Sequence, residues 1–178
     1  GEDAEAAAKN AAPDFELKDT HDKAHKLSQY RDKWVVLEWI NHGCPFVKKH
    51  YRKGAMQALQ AKYTEKAVVW LSICSSAEGK QGHMSPEKWN ETIEAKKSKQ
   101  TAVLLDADGK VGKLYEAKVT PTMVVISPKG DIVYRGAIDS IRSADPEDIE
   151  FAENYVAQVL DAGLEGKEPP IAETKAYG

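Results

Sequence analysis

The sequence of 178 residues has a formal net charge of −3 and a mean hydropathy of −0.55, with 42% hydrophobic and 30% charged residues. A chain of this length can bury one hydrophobic core. The small negative charge argues against a nucleic-acid partner, and no apolar run approaches the roughly 20 residues of a membrane span. Two cysteines are too few for a disulfide-stapled scaffold.

The composition along the chain predicts three parts. Residues 1–12 are rich in Ala and Glu and lack an apolar stripe, which predicts a flexible lead-in. Residues 13–163 are expected to form one domain, and residues 164–178 an extended tail. The compartment stays open. The chain starts with Gly1 instead of Met, as it would after removal of a signal peptide, which favours an exported or periplasmic protein.

The first half of the domain alternates strand and helix patterns. Residues 13–30 predict two short strands around a polar turn. The apolar runs WVVLEWI (34–40) and AVVWLSIC (67–74) predict strands buried on both faces of a parallel sheet. Between them, Pro45 is a good first helical residue, and an apolar stripe predicts a helix to about Thr64.

The second half continues the alternation. A helix is predicted from Pro86 to about Ser98 with Ser85 as its cap, then a strand over 101–106 and a short helix after the DADGK turn. MVVIS and IVYRG flank the turn SPKGD and predict a hairpin. A last helix is predicted from Asp145 and Pro146 to Leu164. This order favours a layered α/β domain with a mixed sheet.

The stretch NHGCPFVKKHY places Cys44 between a predicted strand and a predicted helix. A thiol is nucleophilic as its thiolate, which is favoured at a helix N-terminus and near cations. Basic residues flank Cys44 on both sides: His42, Lys48, Lys49, His50, Arg52 and Lys53. The pattern predicts a reactive cysteine. The alternative is a buried core cysteine followed by a solvated basic helix face.

Thr120-Pro121 stands directly before the predicted strand MVVIS. A bond to proline can be cis, and proline at the start of a strand is compatible with sheet geometry. A cis-proline beside a reactive cysteine would present backbone groups to an incoming chain. We therefore predict that Pro121, with Thr120, docks a partner.

These stretches together resemble a known family. APDFELKD, WVVLEWINHGCP, VVWLSICSS and LLDADGKVGKLYEAKVTPTMVVISPKGDIVYRGAID, within about residues 12–160, resemble the thioredoxin-like superfamily. Within it, they are similar to the redoxin or AhpC/TSA branch and its peroxiredoxin-like group with an NHGCPFV signature. The resemblance implies an α/β thioredoxin-like fold: a central mixed sheet flanked by helices, with an N-terminal β-hairpin extension. It also implies that Cys44 is the first cysteine of a CxxC motif and that Pro121 is the cis-proline.

The chain departs from the family pattern at the second cysteine. Val47 replaces it, so Cys44 cannot close a local disulfide, and Val47 also stands where a peroxide-reactive cysteine would be. The Thr and Arg that assist peroxide chemistry in the family are not found at the corresponding positions of this sequence. Arg135 is the candidate to replace the Arg. We expect a single-cysteine oxidoreductase for thiol–disulfide exchange or antioxidant chemistry. Its partners would be a protein disulfide or thiol, or a hydroperoxide, with an external thiol as reductant. A thiol-dependent peroxidase is the alternative.

The thiol that resolves an oxidised Cys44 stays open. Cys74 follows 30 residues later at the end of the next predicted strand, where a disulfide would need Cα atoms roughly 4.4–6.8 Å apart. Cys74 as a buried strand residue is the other interpretation. Chains similar to this one often continue past a Tyr-Gly like Tyr177-Gly178 into a short cysteine-bearing segment.

Two further sets of residues are candidates. Glu38 interrupts an apolar strand, where a carboxylate is costly unless it is hydrogen-bonded. It is predicted either to carry protons for the site, as Asp139 could, or to face solvent at the sheet edge. His42, Cys44, His50 and His83 are suitable copper or zinc ligands, which leaves a metal carrier as an alternative. A second nearby thiol is missing, so we expect no metal and no cofactor.

Overall fold

The computed structural model describes residues 10–178, and its centre is one seven-stranded mixed sheet. The strands are β1 Glu16–Asp19, β2 Ala24–Lys26, β3 Val35–Trp39, β4 Val69–Cys74, β5 Ala102–Leu105, β6 Thr122–Ile126 and β7 Ile132–Gly136, in the spatial order β2-β1-β5-β4-β3-β6-β7. The helices are α1 Pro45–Arg52, α2 Ala55–Thr64, α3 Pro86–Lys96, α4 Lys110–Leu114 and α5 Tyr155–Leu164. Most of the predicted flexible lead-in lies outside the described residues.

The central strand β3 sets the geometry of the site. It pairs in parallel with β4 and antiparallel with β6, and each of its five residues is buried. The chain therefore leaves β3 at the same sheet edge where it leaves β4 and enters β6. Because Trp39 pairs with Thr122, the residues just after β3 and just before β6 lie side by side. The predicted two-sided burial of the β3 and β4 strands is confirmed.

The sheet is covered on both faces. Along β3, Val36 and Ile40 pack in one core cluster, whereas Val35, Leu37 and Trp39 pack in the other. This alternation is the period of two that a strand imposes on its side chains. The predicted N-terminal hairpin is present, with β1 antiparallel to both β2 and β5. No helix within residues 10–178 has the length and apolarity to span a bilayer.

The helix predicted from Pro45 to Thr64 is two helices. Gly54, between α1 and α2, has φ 85°, in the left-handed region. Glycine adopts this conformation without a steric penalty, so only two residues, Lys53 and Gly54, separate the helices. The apolar stripe continues across the break, which is why the periodicity alone indicated one helix.

The predicted last helix is also divided. Pro146–Phe151 is a 3₁₀ segment, in which the Asp145 carboxylate accepts from the amide of Glu147 at 2.9 Å. The α-helix α5 begins later, where Asn154 Oδ1 accepts from the amide of Ala157 at 2.9 Å. Asn154 is therefore the true N-cap, because a side-chain acceptor at this position bonds the N2 or N3 amide.

The segment 165–178 contains no helix or named strand, yet it is docked on β7. The amide of Arg135 donates to Ala172 O at 3.1 Å, and the amide of Thr174 donates to Arg135 O at 3.1 Å. Tyr177 is only 4% exposed and belongs to the main core cluster. The sequence predicted an extended tail, but its composition gave no indication of this burial.

Candidate active site

Cys44 is the N-cap residue of α1, at the edge where β3 ends. Its carbonyl accepts from the amides of Val47 and Lys48 at 3.1 and 2.9 Å, which starts the helix. Its thiol donates to Thr120 O at 3.3 Å, and the residue is 8% exposed. The sulfur therefore lies at the positive end of a helix dipole and against the chain that enters β6.

The Thr120–Pro121 peptide bond is cis, as the resemblance implied. Pro121 directly precedes β6 and has no amide hydrogen to contribute to the sheet. The antiparallel register of β3 and β6 carries Thr120 and Pro121 to Cys44, 76 residues away in sequence. Cys44 and the Thr120-Pro121 pair, which the sequence analysis identified separately, are therefore adjacent in the fold.

A cleft of about 380 Å³ opens on Cys44. Its lining comes from the chain after β3, the loop after β4, the chain before β6 and the segment 165–178: Trp39, Ile40, Asn41, Cys44, Ser75, Ser76, Gln81, Ala117, Lys118, Val119, Thr120 and Gly178. Two of the lining residues are hydrogen-bonded to each other, since Asn41 Nδ2 donates to Gln81 Oε1 at 3.0 Å. The cleft is large enough for a peptide side chain or a short extended segment.

Gly178 approaches the site closely. A Cβ atom at this position would collide with the carbonyl oxygen of Thr120, the same oxygen that accepts the Cys44 thiol. Only glycine allows this approach. The segment 165–178 therefore forms one wall of the cleft, and this contribution was not predicted.

The basic residues after Cys44 do not all face the thiol. Lys49 and His50 are buried, and both are hydrogen-bonded to the Tyr177 hydroxyl at 3.1 and 3.3 Å. The Asp139 carboxylate lies 3.9 Å from each of them and accepts from Tyr177. Only part of the basic run can therefore act on Cys44, because the helix turns Lys49 and His50 toward the core on another side.

This second group, Lys49, His50, Asp139 and Tyr177, is a buried polar cluster that we call the tail anchor. Burial raises the pKa of Asp139 and lowers that of Lys49, while their mutual attraction opposes both changes. Burial, with a smaller contribution from Lys49, lowers the pKa of His50 to about 4. His50 is therefore neutral near pH 7, and the cluster ties α1 to the segment 165–178.

Glu38 lies on the central strand and is 0% exposed, so the expectation that it faces solvent at a sheet edge is wrong. Its carboxylate accepts four hydrogen bonds, from Tyr51 Oη at 2.5 Å, Ser72 Oγ at 2.8 Å, Trp70 Nε1 at 2.8 Å and Gln60 Nε2 at 3.1 Å. Burial raises the pKa of Glu38, and these bonds counteract it. None of the four donors is Cys44.

Cys74 ends β4 and is buried beside a different cavity, of about 110 Å³, whose lining includes His83 and Trp89. Its thiol donates to Gly82 O at 3.5 Å, and burial raises its pKa. Both cysteines are free. The structure thus places Cys44 at the start of α1 and Cys74 at the end of β4, and the two thiols line different cavities that share Ser76.

The metal candidates are dispersed. The His42 ring packs against Tyr51 and Trp89, with centroids 4.7 and 5.4 Å apart, and its pKa is lowered to about 4 by burial and then by Lys96. His83 is exposed. Over residues 10–178, no group of three His, Cys, Asp or Glu side chains is arranged to hold a metal ion.

Arg135 does not line the Cys44 cleft. Its guanidinium donates to Tyr115 O at 2.9 Å and lies 3.4 Å from the Glu116 carboxylate. The side chain therefore braces β7 against the chain after α4. It is not placed among the residues around the thiol.

The sheet, the cysteine at the start of α1 and the adjacent cis-proline define a thioredoxin-like protein. Within that class, the AhpC/TSA family matches residues 8–135, and the chain belongs to this family. The predicted resemblance to the thioredoxin-like redoxins is thereby confirmed. Among curated protein sequences, none matches significantly.

Solved structures agree with this assignment. An uncharacterised conserved protein from Geobacillus kaustophilus is 26% identical, with a TM-score of 0.77, over 92% of this chain and 85% of its own. A hypothetical protein from Sinorhizobium meliloti is 22% identical, with a TM-score of 0.78, over 95% of this chain and 90% of its own. The thioredoxin domain of a thiol-disulfide oxidoreductase from Bacteroides vulgatus is 19% identical, with a TM-score of 0.56, over 79% and 94%. The predicted thioredoxin-like α/β fold is confirmed.

Proposed function

We propose that the protein exchanges thiols and disulfides with protein partners through Cys44. The observation that carries this proposal is the thiol at the α1 N-terminus, 3.3 Å from the carbonyl that precedes cis-Pro121, at an open cleft. The cleft offers room for a polypeptide beside the thiol. Membership of a thioredoxin-like family supports the same chemistry.

In this proposal the Cys44 thiolate attacks one sulfur of a partner disulfide. A mixed disulfide between Cys44 and that sulfur forms, and the other partner sulfur leaves as a thiolate that takes up a proton. An external thiol, as its thiolate, then attacks the mixed disulfide, forms a new disulfide with the partner sulfur and releases Cys44. The electrons and protons balance without any cofactor.

An external resolving thiol is favoured over Cys74. A resolving thiol reacts as its thiolate, and burial raises the pKa of Cys74, which disfavours that form. Cys74 also lines a different cavity from the Cys44 cleft, although both cavities are lined by Ser76. Val47 is buried and has no thiol to offer. A proton-carrier role for Glu38 stays a prediction, since its hydrogen bonds reach Tyr51 on α1 but not Cys44.

Trapping of the mixed disulfide tests the proposal. Wild type, Cys44→Ser and Cys74→Ser are mixed with a peptide carrying a 2-pyridyl disulfide, and release of thiopyridone and the mass of the adduct are followed. We expect rapid adduct formation in wild type and Cys74→Ser, and loss of the rapid phase in Cys44→Ser. A rate for Cys44 no faster than that of the denatured chain would contradict the proposal. Consumption of hydrogen peroxide with dithiothreitol by wild type would instead support the peroxidase alternative.

A further inference from the structure

Two exposed cations of α1, Lys48 and Arg52, line a second cleft. Lys48 and Arg52 are four residues apart on α1, so they lie on one helix face. With Lys96 at the end of α3, they line a cavity of about 610 Å³ whose other lining residues are Tyr51, Gly54, Gln57 and Ala95. Among the described residues 10–178, no carboxylate lines it.

This cleft continues as a groove. A neighbouring cavity shares Gly54, Gln57 and Lys96 with the first and extends it to Lys97 and Lys99. We call the surface formed by Lys48, Arg52, Lys96, Lys97 and Lys99 the basic groove. An elongated row of cations fits an extended polyanion better than a single small anion.

The cations of the basic groove are not used by the protein itself. Within residues 10–178, none of the five forms an ion pair with a carboxylate, whereas Lys49 is directed to Asp139 and Lys53 pairs with Glu147. At the nearby helix ends, Gln57 Nε2 donates to the carbonyls of Tyr51 and Lys96 at 3.0 and 2.9 Å. Arg52 and Lys96 lie in the last turns of α1 and α3, where a cation complements the helix dipole without being neutralised by a carboxylate.

One cation of the groove acts on a group close to the thiol. Burial, with a smaller contribution from the charge of Lys96, lowers the pKa of His42 to about 4, and His42 lies two residues before Cys44. The groove also begins one helical turn after Cys44, since the amide of Lys48 donates to Cys44 O at 2.9 Å. A chain bound at the thiol can therefore reach the groove within a few extended residues, at about 3.3 Å each.

We propose that the basic groove binds acidic residues that flank the reactive cysteine of the partner protein. This inference rests on thiol–disulfide exchange at Cys44 and adds the class of its substrate: a cysteine within an acidic polypeptide segment. The groove attracts the carboxylates and holds the segment while its cysteine reacts at Cys44. Such attraction acts mainly on the association rate and is screened by salt.

The test uses three peptides, each with one central Cys as its 2-pyridyl disulfide and four identical residues, Glu, Gln or Lys, on each side. The second-order rate of thiopyridone release is measured for wild type at low ionic strength and at 1 M salt, with Cys44→Ser as blank. We expect the rate to fall from the Glu peptide to the Gln peptide and again to the Lys peptide. At low salt the Glu peptide should react about tenfold faster than the Gln peptide. At 1 M salt, where the Debye length is about 3 Å, the rates should converge.

Matched triple variants locate the effect. Lys48→Gln/Arg52→Gln/Lys96→Gln should bring the ratio of the Glu-peptide rate to the Gln-peptide rate to about one, and this ratio does not respond to a change in the reactivity of Cys44 alone. Lys23→Gln/Lys33→Gln/Lys129→Gln makes the same change in net charge at exposed positions outside the groove and should retain the preference. Equal rates for the Glu and Gln peptides in wild type, or a preference that survives the groove variant, would overturn the inference. Failure of Cys44 to react with any peptide would instead overturn the proposed function.

Discussion

The two buried carboxylates Glu38 and Asp139 have different kinds of hydrogen-bonding and charged partners. Burial raises the pKa of both. Glu38 is surrounded by uncharged donors from β4, α1 and α2, all within the main core. Asp139 instead faces Lys49, His50 and the Tyr177 hydroxyl of the tail anchor, and so joins α1 to the segment 165–178.

The difference concerns what each cluster holds in place. The Glu38 network lies on secondary structure that forms the core, so its loss affects the whole fold. The tail anchor fixes a segment without regular structure, whose Gly178 forms a wall of the Cys44 cleft. We expect the first cluster to control global stability, and the second to control the site more than the fold.

The largest effect is expected for Glu38→Ala. This change leaves the buried donors of Tyr51, Gln60, Trp70 and Ser72 without their acceptor, and each unsatisfied group costs about 1–3 kcal/mol. Because some donors can rotate to other partners, we expect a total loss of about 3–5 kcal/mol in the free energy of unfolding, measured by urea denaturation. A loss below 1 kcal/mol would show that the network does not support the core.

Glu38→Gln adds a pH dependence to this test. The raised pKa means that the unfolded chain releases the Glu38 proton at a lower pH than the folded protein does. As pH rises from the ordinary carboxyl pKa through the raised value, wild type therefore loses stability relative to Glu38→Gln, by at most about 1.4 kcal/mol per pH unit. Urea denaturation of both proteins across this range should show the gap moving in favour of Glu38→Gln. A constant gap would contradict the pKa direction.

An intermediate effect is expected from removing one hydroxyl in each cluster. Tyr51→Phe removes a donor to Glu38, and Tyr177→Phe removes the group that joins Asp139, Lys49 and His50. Each should lower stability by about 1–3 kcal/mol. Only Tyr177→Phe should also speed hydrogen exchange of the Thr174 amide selectively, by about tenfold, which corresponds to 1.4 kcal/mol.

The same pair sharpens the link between the tail anchor and the site. Because Gly178 follows Tyr177 and touches Thr120, Tyr177→Phe should increase alkylation of Cys44 by iodoacetamide under native conditions. Tyr51→Phe serves as the control of similar global stability. Equal alkylation rates in the two variants would contradict the expectation that the tail anchor controls access to Cys44 whereas the Glu38 network controls global stability.

The smallest effect is expected for Phe46→Leu. Phe46 on α1 packs edge-on against Tyr177, with ring centroids 5.8 Å apart, and such pairs contribute about 0.5–1.5 kcal/mol. Its control is Phe15→Leu, which breaks a similar pair with Tyr115, also at 5.8 Å. Both should lower the thermal midpoint slightly, whereas only Phe46→Leu should speed Thr174 exchange. Faster Thr174 exchange in Phe15→Leu would show that the segment responds to stability in general.

Much of the fold was predictable because local patterns agreed with the final packing. The apolar runs before Cys44 and through Cys74 became β3 and β4, and the SPKGD turn joins the β6–β7 hairpin. The errors occurred at helix ends, where a single residue determines whether a helix stops or begins. Gly54 divides the helix after Cys44, and Asn154 replaces Asp145 as the cap of the last helix.

The site was predictable in part. Cys44 and Thr120-Pro121 carried local signals, a strand–helix junction and a proline before a strand, and the structure brings them together. Tyr177-Gly178 was noted only as a Tyr-Gly pair and Gln81 not at all, because no local pattern connects them to Cys44. Sequence reasoning therefore missed their places at the tail anchor and the cleft. Glu38 was noticed as a charge within an apolar strand, but its four donors come from positions 51, 60, 70 and 72, which no local pattern connects to it.

The sequence by itself determined the alternation of strands and helices, the position of Cys44 at a strand–helix junction and the lack of a second cysteine at Val47. These features depend on neighbours along the chain, through side-chain period, capping and turn chemistry. Only the tertiary structure decided which basic residues of α1 turn to the core and which stay on the basic groove. It also decided that the segment 165–178 closes one side of the cleft. Both outcomes depend on contacts between residues up to 128 positions apart, such as Lys49 with Tyr177, and burial by distant parts of the chain determines their energies.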